Sequence, residues 1–154
     1  MDFIEVLLDI VLNPVFISAI VAVVVSQVLK LFYYYFKEKK VNLRYLASSG
    51  GFPSSHAATV TALTISIGLL EGFNSTFFIM AVTFSLIVMY DAAGVRQAAG
   101  EQARILNKIV DEVVPDKHIN NYESLKELIG HTPLEVLAGA VIGFLTALAI
   151  HFYL

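Results

Sequence analysis

The chain contains no cysteine, so neither a disulfide nor a thiolate nucleophile or metal ligand is open to it. Charge is scarce as well. Only 15% of its 154 residues are Asp, Glu, Lys or Arg, against about 25% in an ordinary soluble domain. Strand signals, internal repeats, low-complexity tracts and Pro/Ser-rich linkers are absent, so residues 1–154 read as a single domain. No H-E-x-x-H or comparable ligand spacing is present, which predicts no metal and no other cofactor. No nucleic-acid partner is expected. The opening MDFIEVLLD is acidic where a secretory signal would be basic, and no small-residue cleavage site follows its apolar run.

What the chain has in excess is apolar surface, with 57% hydrophobic residues and a mean hydropathy of +0.74. Four apolar stretches stand out. The first, Pro14 to Phe36, would reach about 34 Å as a helix, enough for a hydrocarbon core of about 30 Å. The second and third, Ser54 to Leu70 and Thr76 to Tyr90, are shorter and are separated by the polar turn EGFNST. The fourth, Pro133 to Leu154, is full length. Residues 2–12 read as a short interfacial helix. Beyond the third stretch, GVRQAAGEQARILNKIVDEVV has near-helical apolar spacing and Pro115 to stop it. ESLKELIG reads as a further short helix, with Ser124 and Glu127 as a capping box and Gly130 as its end. The predicted fold is an all-α polytopic membrane bundle of about four transmembrane helices plus a cytoplasmic amphipathic helix. A soluble bundle with buried hairpins is the competing reading.

One side of that arrangement has no basic residue at all. The N-terminus, the turn at 71–75 and the C-terminus carry Asp2, Glu5, Asp9 and Glu71, whereas all ten basic residues lie in or beside segments 37–53 and 91–132. The positive-inside rule then places both long segments in the cytoplasm and both termini outside a multi-pass cell-membrane protein.

This topology brings PSSH, YDAAGVR and HTPLE, from three places in the sequence, to one membrane face. In the first, Gly50, Gly51, Pro53, Ser54 and Ser55 run into His56 at a helix start. Free N–H groups and the helix dipole make such a start an anion site, and a histidine there can donate a proton. The plainer reading is a serine helix cap with an interfacial histidine. His131 and Glu135 lie four apart on one helical face, where a carboxylate can fix the imidazole tautomer and free the other nitrogen as nucleophile. Here the plainer reading is a capped helix start. Arg96 either binds a phosphate bidentately or pairs with Asp91. KEKK at 37–40 reads as a topology determinant touching anionic headgroups. His118 and His151 have no assigned role.

PSSH followed by H-x3-E resembles the type 2 phosphatidic acid phosphatase and vanadium haloperoxidase superfamily. Its signatures are K-x6-R-P, P-S-G-H and S-R-x5-H-x3-D. Lys37 and Arg44 match K-x6-R, Pro53 to His56 match the second with serine for glycine, and Ser124, Leu125, His131 and Glu135 keep the spacing of the third. With GVRQAAG and GHTPLEV, the chain is similar to the divergent membrane branch of that superfamily. The resemblance implies a lipid phosphate or pyrophosphate phosphatase. His131 would form a phosphohistidine, Glu135 would orient it, and His56 would protonate the leaving group and then activate water. Lys37, Arg44, Ser54, Ser55 and the backbone around Gly51 would hold the phosphoryl oxygens. Leu125 stands where the family has its second arginine. Arg96 is the expected replacement, and an inward-turning Lys126 the alternative. Partners would be a lipid phosphate substrate and membrane lipids. Two other functions compete. One is a non-catalytic protein that binds anionic lipid. The other is a small transporter or channel-like homo-oligomer packed through Gly139 and Gly143.

The orientation is tested with single cysteines at Asn42 and Asn74 in the cysteine-free chain. A membrane-impermeant maleimide should label position 74 in intact cells and position 42 only after permeabilisation. Labelling of position 42 from outside overturns the topology.

Overall fold

The computed structural model describes residues 2–40, 50–113, 124–127 and 129–154. Short polar side chains mark the helix starts. In α1 (Phe3–Val11), Asp2 and Glu5 form a reciprocal capping box. Asn13 accepts from the Val15 N–H to open α2 (Pro14–Glu38), whose first position is Pro14, while Lys39 ends it in the left-handed region at φ 56°. Ser54 caps α3 (Ser55–Glu71) and Ser75 caps α4 (Thr76–Tyr90). A π-helical turn, Asp91–Val95, joins α4 to α5 (Arg96–Val113). Thr132 and Glu135 form a second capping box at the start of α6 (Pro133–Tyr153). No strand occurs among the described residues.

Helices α3 and α6 run parallel and begin at the same level, where the Ser54 N–H donates to the Glu135 carbonyl at 3.0 Å. Glycine permits this closeness. A Cβ on Gly139 would strike the Ser54 carbonyl oxygen, and one on Gly143 the Ala58 carbonyl oxygen. The small-xxx-small face considered for an oligomer contact is thus occupied within the chain, by α3. Buried hydroxyls tie the antiparallel neighbours. Ser18 donates to Ser66 at 3.3 Å between α2 and α3, and Thr64 and Ser85 share a 2.7 Å hydrogen bond between α3 and α4.

The core consists of small residues, with Ala22, Ala58, Ala62 and Ala147 fully buried. Large apolar side chains such as Phe77, Leu86, Leu137 and Phe144 point outward. That inversion suits a lipid solvent, in which close backbone packing rather than water exclusion holds helices together. Among the described residues, three stretches are long and apolar enough to cross a bilayer: Pro14–Glu38, Thr76–Val113 and Pro133–Tyr153. The remaining predicted span, α3, has 17 residues, or about 25 Å of helix, and packs against α2, α4 and α6. The chain is an all-α membrane protein.

The helix expected at ESLKELIG does not form over Ser124–Glu127. The Asn107 side chain holds both the N–H and the carbonyl of Leu125, each at 2.9 Å. Backbone groups captured in this way cannot join a helical ladder, so Ser124 caps nothing.

Overpacking a tight contact costs about 1–3 kcal/mol. Gly143→Val should therefore lower the thermal midpoint in detergent by several degrees. Gly94→Ala, where a Cβ meets nothing within 4 Å, should leave it unchanged. Equal midpoints would contradict the α3–α6 contact.

Candidate functional site

The shared start of α3 and α6 brings His56 and His131 together, with ring centroids 5.7 Å apart and planes at 73°. His56 is the second residue of α3, and His131 lies just before the Thr132 cap of α6. The π turn fixes His131 from behind. Its backbone bonds shift to the wider pattern, as in Arg96 N–H to the Asp91 carbonyl, and the Ala92 carbonyl accepts the His131 N–H at 2.8 Å.

His131 is 1% exposed. Among the described residues neither of its ring nitrogens has a hydrogen-bond partner, and His56 Nδ1 is likewise buried without one. Leaving a buried polar group unpaired costs about 1–3 kcal/mol, so each such atom calls for an explanation. Burial foremost, then the charges of His56, Lys30 and Arg96, push the His131 pKa down to about 4. At neutral pH His131 is therefore uncharged and keeps a free lone pair.

The sequence reading missed Lys30. It is fully buried in α2, and its Nζ donates to the Gly50 carbonyl at 3.1 Å. Lysine is almost never buried without a partner, and the Glu135 charge is close enough to act on it. Lys37, chosen from K-x6-R, lies seven residues further on the same face, about 10 Å towards the helix end. There it is exposed, and its Nζ lies 6.0 Å from the ring centroids of both Tyr33 and Tyr34. The one sequence signal for Lys30 was a lone cation inside an apolar stretch.

The other expected residues divide between the site and its frame. Ser54 is the α3 cap, its hydroxyl accepting from Ala57 N–H at 3.3 Å, and Ser55 opens the helix half-buried. Gly51 adopts φ +97°, and the Tyr34 hydroxyl covers the position of its absent side chain. Glu135 was expected to bond the His131 ring. Its carboxylate instead accepts the Thr132 N–H at 2.9 Å, because the T-x-x-E capping box claims it. Arg96 pairs with Asp91 at 2.6 Å on the partly exposed rim, although its charge still reaches His131. Leu125 and Lys126 are exposed. Arg44 lies outside the described residues.

The arrangement thus combines two adjacent helix N-termini, a buried ammonium and two imidazoles with unengaged nitrogens. Such a setting favours an anion. It also gives His131 a definite pH signature. Its ordinary pKa is about 6.5, so between pH 6.5 and 4 the unfolded chain binds more protons than the folded one. Stability should accordingly fall as pH drops through this window, and His131→Gln should flatten that slope in detergent melts. Parallel slopes for the two proteins would refute the depressed pKa.

Comparisons with known proteins agree with the membrane fold. Residues 11–146 match the profile described as "Divergent PAP2 family". The chain is 34% identical over 158 residues to "Uncharacterized membrane protein YuiD" of Bacillus subtilis (strain 168), an alignment covering 95% of this chain and 99% of that protein. No solved structure matches. With most of its length matched by the profile and nearly all of it aligned to that membrane protein, the chain belongs to the divergent PAP2 family.

Proposed function

We propose that the protein hydrolyses a lipid phosphate or pyrophosphate at the cytoplasmic face through a phosphohistidine. The observation that carries this reading is the facing His56–His131 pair at the common start of two parallel helices, beside buried Lys30. Neutral His131 attacks phosphorus, forming the N–P bond as the ester P–O bond breaks. His56, which takes up a proton as the anionic phosphate enters and offsets the positive field, gives that proton to the departing oxygen, then takes one from the water that cleaves the phosphohistidine and releases inorganic phosphate. The α3 and α6 N-termini, Ser55 and Lys30 stabilise the phosphoryl oxygens as charge develops on them, so fixed groups rather than a metal meet the electrostatic demand. Arg96 adds positive potential from the rim. The bond from His131 N–H to Ala92, rather than Glu135, orients the nucleophile. A site at the start of membrane helices suits a substrate held by its acyl or prenyl chain, with a glycerolipid or prenyl monoester as the natural class.

A second reading has its own support. Among the described residues no carboxylate engages the His131 ring, and Leu125 replaces the family's arginine. Both suit a protein that binds anionic lipid without turning it over.

Purified protein in nanodiscs, given a panel of lipid phosphates with EDTA present, distinguishes the two. The catalytic account predicts phosphate release that His131→Ala abolishes. His56→Ala should reduce it by about 10²–10⁴-fold, the usual worth of a general acid. Release that survives His131→Ala removes the nucleophile, and release that needs added metal removes the metal-free mechanism. Lipid binding without release from any substrate establishes the second reading.

A further inference from the structure

We propose that Asn107, on α5 and outside every motif of the site, is the positioning residue for His131. It would act by tensioning the segment that leads into α6, described over residues 124–127 and 129–131. The proposal rests on the reading of His131 as nucleophile. Asn107 holds Leu125 as a neighbouring strand would, accepting its N–H and donating to its carbonyl, each at 2.9 Å. Its Nδ2 also donates to Glu127 Oε1 at 2.7 Å.

From there Glu127, Ile129 and Gly130 lie along one stripe of α5. Gly100, Ala103 and Asn107 are the buried residues of that helix, and their i, i+3, i+7 spacing puts them on one face. A Cβ on Gly100 would come within 2.6 Å of the Ile129 carbonyl oxygen and 2.7 Å of that of Glu127. Gly130, at φ +90°, sits directly on the Arg96–Gln97 backbone. The next residue is His131, bonded to Ala92. Side-chain packing does not anchor the start of the segment, since Ser124, Leu125, Lys126 and Glu127 are all exposed.

Lengths make the coupling tight. Extended chain covers at most about 3.3–3.6 Å per residue, so Leu125 to His131 can reach at most about 20–22 Å. Ala92 to Asn107 rises about 22 Å as helix. With little slack, release at Asn107 frees the far end, where the imidazole depends on one backbone bond.

Diethylpyrocarbonate modification followed by mass spectrometry tests this on the full chain in nanodiscs, with phosphate release measured alongside. In the parent protein buried His131 should react slowly, and exposed His151 serves as the internal reference. Asn107→Ala should speed modification of His131 on the order of tenfold relative to His151 and lower kcat on the order of 10²-fold, as expected of a nucleophile displaced by about 1 Å. KM and the thermal midpoint should stay near the parent's. One glycine inserted between Leu125 and Lys126 slackens the segment without altering α5. It should reproduce the effect, which keeps the proposal testable if Asn107→Ala fails to fold. Asn107→Asp, which keeps the acceptor but loses the donors, should fall between parent and Asn107→Ala. His131 left equally protected in the folded Asn107→Ala protein, or in the insertion variant, overturns the proposal. The modification readout needs no turnover. Deprotection in a protein that releases no phosphate therefore supports the tether while sinking the hydrolase reading.

Discussion

Everything about the site depends on how closely α3 and α6 approach each other. Gly139 and Gly143 let the α6 backbone lie against the Ser54 and Ala58 carbonyls. Because the helices are parallel, their N-termini then open side by side. An antiparallel pair would place a positive helix end beside a negative one and cancel much of the field. The parallel arrangement adds the two ends and places a histidine at each. Two residues 75 positions apart in sequence become ring neighbours as a consequence of glycine spacing.

The electrostatics follow from that geometry. Lys30 and the helix ends make the region positive, and burial removes the water that would otherwise hydrate a proton on His131. A histidine there is held neutral, the protonation state a nucleophile requires. The same field favours an anionic ligand, so in the proposed phosphatase the neutral state of His131 and the attraction of a phosphate would have one cause. Glu135 serves the frame more than the ring. By capping α6 it keeps the first turn of that helix intact beside Ser54.

Much of the fold was legible in the sequence. Apolar stretches and polar caps such as Asn13, Ser54, Ser75 and Thr132 mark where the helices begin. PSSH and HTPLE pointed to His56 and His131 because their residue types fit a helix-start anion site. Lys30 was hidden, since burial depends on which face of α2 meets the bundle. Lys37, two turns away, satisfied the motif spacing equally well. Glu135 was misread for a local reason. H-x3-E and T-x-x-E overlap in HTPLE, and the capping box, which closes within one helical turn, claims the carboxylate. ESLKELIG has helical propensity, but hydrogen bonds from a residue 18 positions away override it. Asn107 gave no warning because apolar periodicity is blind to a small-residue stripe.

The most direct test of the central claim is a structure of the protein in lipid with orthovanadate, which adopts the trigonal-bipyramidal geometry of phosphoryl transfer. This account predicts vanadate bonded to a ring nitrogen of His131, with His56 on the opposite apical side and Lys30 and the α3 and α6 N-termini around its equatorial oxygens. Vanadate found elsewhere, or a His56–His131 pair left empty at saturating vanadate, would contradict it.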